Sequence, residues 1–356
     1  MTISWVHAGD AVSGEIAGRS VILRYTEPSV EYAALRSGAV VTDRSHRGRT
    51  RLEGPRAAEL LTGLVTNDVL ALAAGHGQYA AALSAKGKIV ADVRIFAEDG
   101  SLLVDVPPRA AASWWEMLRK FVNPRLARYR DESSALRALG IFGARARRVV
   151  AGVTGLSADR LGDLAPHHHV RTEIDGGAAL VARSPVLGLD GWEIFLPAEH
   201  FATLWSRALG AGATPMGLEA WEVARIEAGT PEWGIDIDDS TIPQEANFDE
   251  LHAISYTKGC YVGQEVVARV HFRGHVNRHL RGLRFVSDTA PPAGAQLVDT
   301  DGKVVGDVRS AAISPRLGGV ALGMVRREIE MGTTLRAGWE GGQAQADVAA
   351  IPFALE

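Results

Sequence analysis

Hydrophobic and polar positions alternate most cleanly at residues 89–96. Ile89, Ala91, Val93 and Ile95 share one side there, and Val90, Asp92, Arg94 and Phe96 share the other, the period-two pattern of a β-strand. Residues 21–25, 40–42, 49–53, 79–83 and 102–104 read as further strands. Gly54-Pro55 closes the strand at 49–53, and Pro55 suits the first turn of a helix carrying Leu60, Leu61 and Leu64. Residues 109–122 set Trp114, Met117, Leu118 and Phe121 at helical spacing, a stripe for a core. Strands follow at 136–142, 170–174, 179–182 and 192–196. Helices are predicted around Arg145 to Arg148, at 198–209 and at 218–228, with a short one at 264–270. Residues 152–166 are turn-rich, and 231–244 form an acidic loop. Beyond Arg278 short β runs recur between Gly/Pro turns, at 280–286, 296–298, 303–308, 320–324, 333–336 and 344–351. That spacing predicts a small antiparallel barrel. The fold class is therefore α+β, with a body followed by a barrel and a boundary near residue 277.

Composition narrows the classes. At 46% hydrophobic and 22% charged residues the chain is an ordinary globular protein. Its net charge of -4 gives no global basic field for nucleic acid. No run of 18 apolar residues suggests a membrane span, and residues 1–7 show no basic segment leading into an apolar one. The single cysteine, Cys260, fits a reducing cytosol. Alone it can form no intrachain disulfide and cannot supply the thiolates of an iron–sulfur cluster.

Cys260 lies in Lys258-Gly259-Cys260-Tyr261-Val262-Gly263-Gln264-Glu265. Gly259 and Gly263 allow tight backbone turns and leave room for a ligand. Lys258 can favour the thiolate, and Gln264 and Glu265 add hydrogen-bonding groups. The plain alternative is a small buried hydrophobe. Over all eight positions this segment resembles the K-G-C-aromatic-x-G-Q-E signature of the YgfZ proteins. Those are folate-binding relatives of the glycine-cleavage T-protein, linked to iron–sulfur protein maturation and tRNA thiomethylation. Collinear stretches are similar to the T-protein superfamily: Asp43 to Arg49 (D-x-S-H-x-G-R), Leu64 to Val69 (L-x-T-N-D-V), Lys86 to Asp92, Gly188 to Ile194 and Arg225 to Gly229 (R-L-E-A-G).

The resemblance implies a T-protein-like folate-binding body in two halves, 1–134 and 135–277, with the barrel at 278–356. It implies tetrahydrofolate, or a one-carbon derivative, as cofactor. Glu193 matches the glutamate that grips the pterin edge, and Asp92 the aspartate near the folate nitrogens. Tyr79, Trp192 and Tyr261 could stack on the ligand's rings or fill the core. Arg225, Lys258, Gly259, Gly263, Gln264 and Glu265 complete the expected binding set, and Cys260 and Asp92 the chemically active pair. The implied function is folate-dependent support of iron–sulfur proteins in the cytoplasm, with iron–sulfur client or carrier proteins as partners. The alternative is an aminomethyl- or methyltransferase of the T-protein type. Departures count against the alternative: Trp221 replaces an arginine, Ala91 an aspartate and Asp105 an asparagine. His167-His168-His169 has no zinc spacing, and adjacent histidines point different ways. Arg269, Arg273, Arg278, Arg281 and Arg284, with His271, His275 and His279, form either a solvated basic face or an anion site.

Overall fold

The computed structural model describes residues 11–354. The first half runs β1 (Val12–Ile16), β2 (Arg19–Arg24), α1 (Pro28–Ser37), β3 (Val40–Asp43), β4 (Gly48–Glu53), α2 (Ala57–Thr62), β5 (Gly77–Leu83), β6 (Ile89–Glu98), β7 (Ser101–Val106), α3 (Ala111–Phe121) and β8 (Arg128–Asp131). Then come β9 (Leu136–Phe142), α4 (Ala146–Thr154), α5 (Ala158–Gly162), β10 (His169–Ile174), β11 (Gly177–Arg183), β12 (Gly191–Pro197), α6 (Phe201–Gly210), β13 (Thr214–Pro215), α7 (Leu218–Glu227) and α8 (Gln264–Arg273). The last strands are β14 (Arg278–Phe285), β15 (Gln296–Val298), β16 (Val304–Ser314), β17 (Gly318–Arg326), β18 (Thr334–Trp339) and β19 (Gly342–Ala349). Among the described residues no helix is long and apolar enough to cross a membrane. The N-terminal heptapeptide lies outside the described residues.

The chain forms two compact units. One holds the chain up to Ala82 with Val90–Trp221 and Ala253–Val262; the other holds Leu83–Ile89, Glu222–His252 and the chain from Gly263 on. The expected α+β class and the closed antiparallel barrel are both present, the barrel in the order β14-β17-β16-β15-β18-β19.

Two sheets build the first unit: six strands in the order β10-β11-β12-β9-β3-β13, and five in the order β5-β6-β7-β4-β8. Each strand of the six-stranded sheet sends alternate side chains to opposite faces. Trp192, Ile194 and Leu196 of β12 join α4, α5 and α6 in one apolar cluster. Phe195 turns the other way, with Leu180 and Ala138, onto Phe96 and Leu103 of the five-stranded sheet. The layers are thus helices, sheet, sheet. In the five-stranded sheet the alternation expected at 89–96 holds: Ile89, Ala91, Val93 and Ile95 are fully buried on one side.

Three strands escaped the sequence pattern, the shortest being β13, two residues paired parallel to β3. β8 reads Arg-Tyr-Arg-Asp, with no apolar period, and is held by backbone pairing to β4 and by Arg130 on Glu53. β1 reads Val-Ser-Gly-Glu-Ile and forms a hairpin with β2. The turn-rich reading of 152–166 also missed α5, one short helix capped by Ser157. Helix α8 stops at Gly274, so His275 and His279 lie beyond it.

In the second unit the barrel interior is filled by Leu283, Leu297, Val308, Leu335 and neighbours. Ile226 packs with Leu280, Leu322, Met324 and Phe353 on its outside.

Candidate functional site

Between the two sheets of the first unit the apolar contact gives way to charge. Register explains how. Asp105 of β7 sits directly opposite Arg49 of β4 on one side and Arg94 of β6 on the other. Its Oδ1 accepts from Arg47 Nε at 2.5 Å and Arg94 Nη2 at 2.7 Å, and Arg49 Nε is 3.8 Å from Oδ2. Arg94 also donates to both Glu193 oxygens, at 2.6 and 2.9 Å, and Ser184 Oγ donates to Glu193 Oε1 at 3.1 Å. Asp105 and Glu193 are buried. Burial alone would favour their neutral forms. The charges of Arg47, Arg94 and Arg49 outweigh it at Asp105, and Arg94 outweighs it at Glu193, so both carboxyls are held below the usual range. Asp105 is the hub of this array. Its three partners come from two stretches distant from it in sequence, Arg47 and Arg49 from one and Arg94 from the other, so no motif local to Asp105 announces it.

Asp92 lies two residues before Arg94 on the same strand face. Tyr79 of β5 donates its hydroxyl proton to Asp92 Oδ2 at 2.9 Å. Burial, then the neighbouring Asp92, raises the Tyr79 pKa well above its ordinary value, which keeps the phenol a donor. His167 stacks on Tyr79, with ring centroids 6.2 Å apart and planes 17° from parallel. The histidine tract does point three ways: His168 stacks on His76 at 4.2 Å, and His169 meets the Phe96 ring edge-on. Nothing in the spacing of the tract singles out His167 from its neighbours.

The cysteine loop is anchored through its lysine. Lys258 Nζ donates to the carbonyls of Thr62, Val65 and Asn67 at 2.5, 2.6 and 2.9 Å, and it sits 4.6 Å from the Tyr261 ring centroid. Burial lowers the Lys258 pKa to about 8, against the pull of Asp68. The segment it grips is itself tied to β5: Asn67 Nδ2 donates to Tyr79 O, and Thr66 Oγ1 accepts from Ala81 N. Lys258 is thus a structural clamp joining the loop to the Leu64-to-Val69 motif. Cys260 itself is a free, exposed thiol, so the buried-hydrophobe alternative falls.

Two other expectations are corrected, at Trp192 and Arg225. Trp192 is fully buried in the helix-side cluster, on the face opposite Glu193, and packs there instead of stacking on a ligand. Arg225, in the second unit, gives Nη1 to Asp236 at 2.6 Å and Nε to Glu222 at 2.9 Å; its guanidinium is committed to the protein. A Cβ at Gly259 would meet no atom within 4 Å, so packing does not require glycine there. Gly263 differs. Its φ is +81° and a Cβ would come within 2.5 Å of Ser84 O, so only glycine fits. It caps α8, whose first residues are Gln264, half-buried, and Glu265, exposed, the latter well placed at a helix N-terminus. Tyr261 is half-buried under its lysine. Trp221 carries the Arg44 guanidinium over its ring at 3.8 Å.

Comparison with known proteins matches this architecture. Residues 3–255 match the GCVT N-terminal domain and residues 278–354 the glycine cleavage T-protein C-terminal barrel domain. An aminomethyltransferase of Thermosynechococcus vestitus is 31% identical over 323 residues, 89% of this chain and 86% of that one. One of Nostoc sp. is 31% identical over 333 residues, 91% and 86% of the two chains. The crystal structure of glycine cleavage system aminomethyltransferase T from Bartonella henselae superimposes with a TM-score of 0.87 at 25% identity, over 97% of this chain and 94% of that one. With both domain models matched in order, and sequence relatives spanning nearly its whole length, the chain belongs to the glycine cleavage T-protein family.

Proposed function

We propose that this protein binds a reduced folate, tetrahydrofolate or a one-carbon derivative, in its first unit, and handles the one-carbon unit in the manner of a T-protein-type aminomethyl- or methyltransferase. The observation that carries the reading is the Tyr79–Asp92 hydrogen bond beside the ionised Glu193. A pterin presents an N–H and an amino group along one edge, and a carboxylate can accept both, a geometrically specific pair. Glu193 suits that task because Arg94 and Ser184 fix its orientation and keep it charged. A carboxylate has about four acceptor positions; the three donors fill most of them, so taking both pterin donors requires Ser184 Oγ to give up its bond to Oε1. A bound tetrahydrofolate supplies the nitrogen that carries or accepts the one-carbon unit. Asp92, oriented by Tyr79, is the group able to hold a proton near such a nitrogen. Arg47, Arg49 and Arg94 hold the surrounding charge fixed.

A second reading is favoured by a specific observation. Cys260 is exposed on a loop clamped by Lys258 within the octapeptide that resembles YgfZ. On that reading the folate site and the thiol together support iron–sulfur proteins, and Ala91 and Asp105 mark the loss of aminomethyl transfer. Cys260→Ala and Asp92→Ala separate the two. Transfer of a one-carbon unit to or from tetrahydrofolate, lost in Asp92→Ala and kept in Cys260→Ala, supports the first. Failure of Cys260→Ala to sustain iron–sulfur enzyme activity, with no measurable transfer by the wild type, supports the second.

A further inference from the structure

We propose that His167 is a ligand-contacting residue of the Tyr79–Asp92 site, its imidazole hydrogen-bonding through one ring nitrogen to an uncharged, amide-like heteroaromatic edge; this rests on the folate reading. Four observations meet there. The backbone is strained: His167 has φ +65°, a left-handed conformation unfavourable for a residue with a Cβ, and such strain persists where surrounding structure enforces it. The surroundings do enforce it. His167 N donates to Arg183 O at 3.0 Å, and its carbonyl lies so close to β5 that a Cβ at Gly77 would stand 2.3 Å from it. The ring is directed onto Tyr79. The side chain is half-buried, and among the described residues neither ring nitrogen has a hydrogen-bond partner.

Its charge state sharpens the ligand class. Burial, then Arg94 and His168, lower the His167 pKa to about 3, with Glu193 opposing. The ring is therefore neutral across physiological pH, and a neutral imidazole has one donor nitrogen and one acceptor nitrogen. It suits a polar, uncharged ring edge and not an anion.

Titration calorimetry with tetrahydrofolate on the full chain tests this. His167→Phe keeps a ring against Tyr79 and removes both polar atoms. His167→Asn keeps a donor and an acceptor and tolerates positive φ. The expected result is binding about 3- to 10-fold weaker for His167→Phe, as for one lost neutral hydrogen bond, with His167→Asn restored to within about two-fold. Equal affinity of wild type and His167→Phe overturns the inference while leaving folate binding intact. No binding by the wild type overturns the folate reading itself. Should the phenylalanine variant fail to fold, the imidazole ¹⁵N signals of wild-type His167 decide: a shift on adding tetrahydrofolate is expected, and no shift overturns the proposal.

Discussion

Asp105 accepts from or faces three buried guanidiniums. Its substitution by asparagine removes one buried charge and leaves Arg47 and Arg49 without their carboxylate. Breaking a buried ion pair by removing one partner costs about 3–5 kcal/mol. Asp105→Asn should therefore lower the urea midpoint by that equivalent; an unchanged midpoint would mean the array is solvated. Trp192→Ala should cost about 3–5 kcal/mol for the cavity it leaves, yet leave folate affinity within about two-fold, because its ring is on the far face of β12 from Glu193. At this scale the sequence was informative where a residue's role follows from its strand parity. Asp92, Arg94 and Glu193 could be assigned a face from alternation alone. The partners on that face could not, because Arg47, Arg94, Asp105 and Glu193 meet only through cross-strand register.

The cysteine loop shows the same limit for an element. Its residues predicted a tight turn, and Gly263 delivers one. What the sequence did not show is that Lys258 reaches across almost two hundred residues to the carbonyls of Thr62, Val65 and Asn67. Lys258→Met keeps the length of the side chain and leaves three carbonyls without their donor, a change worth about 1–3 kcal/mol. Amide exchange at Thr62–Asn67 and in the Cys260 loop should rise together in that variant, and the Cys260 alkylation rate should change with it. Rises confined to the Cys260 loop would deny the clamp. Gly263→Ala should disturb the start of α8 through both its φ and Ser84 O, while Gly259→Ala should be nearly silent.

Over the whole molecule, the barrel and the α+β class were readable from short β runs and Gly/Pro turns, whereas β8 was not, since pairing and ion pairs hold it without an apolar period. Titration also acts globally. His46 and His169 are held neutral by burial, His46 well below its ordinary value and His169 at about 4, as is His167. Unfolded histidine titrates near about 6.5. Between there and the folded values the unfolded state binds more protons, so stability is full above about pH 6.5 and falls as pH drops. Each such histidine contributes a slope of at most about 1.4 kcal/mol per pH unit. Asp105 and Glu193, also depressed, add loss only below about pH 4. Denaturant midpoints should thus decline from pH 7 to 5, and His46→Gln should flatten the decline. A midpoint independent of pH over that range would contradict the burial of these rings.

The most direct measurement is calorimetric titration of the wild type and Glu193→Gln with tetrahydrofolate. The Tyr79–Asp92–Glu193 arrangement predicts saturable binding by the wild type, weakened by about 1–3 kcal/mol in the variant, the loss of a charge-assisted acceptor. An absence of binding by the folded wild type, or equal affinity in the two proteins, would contradict it.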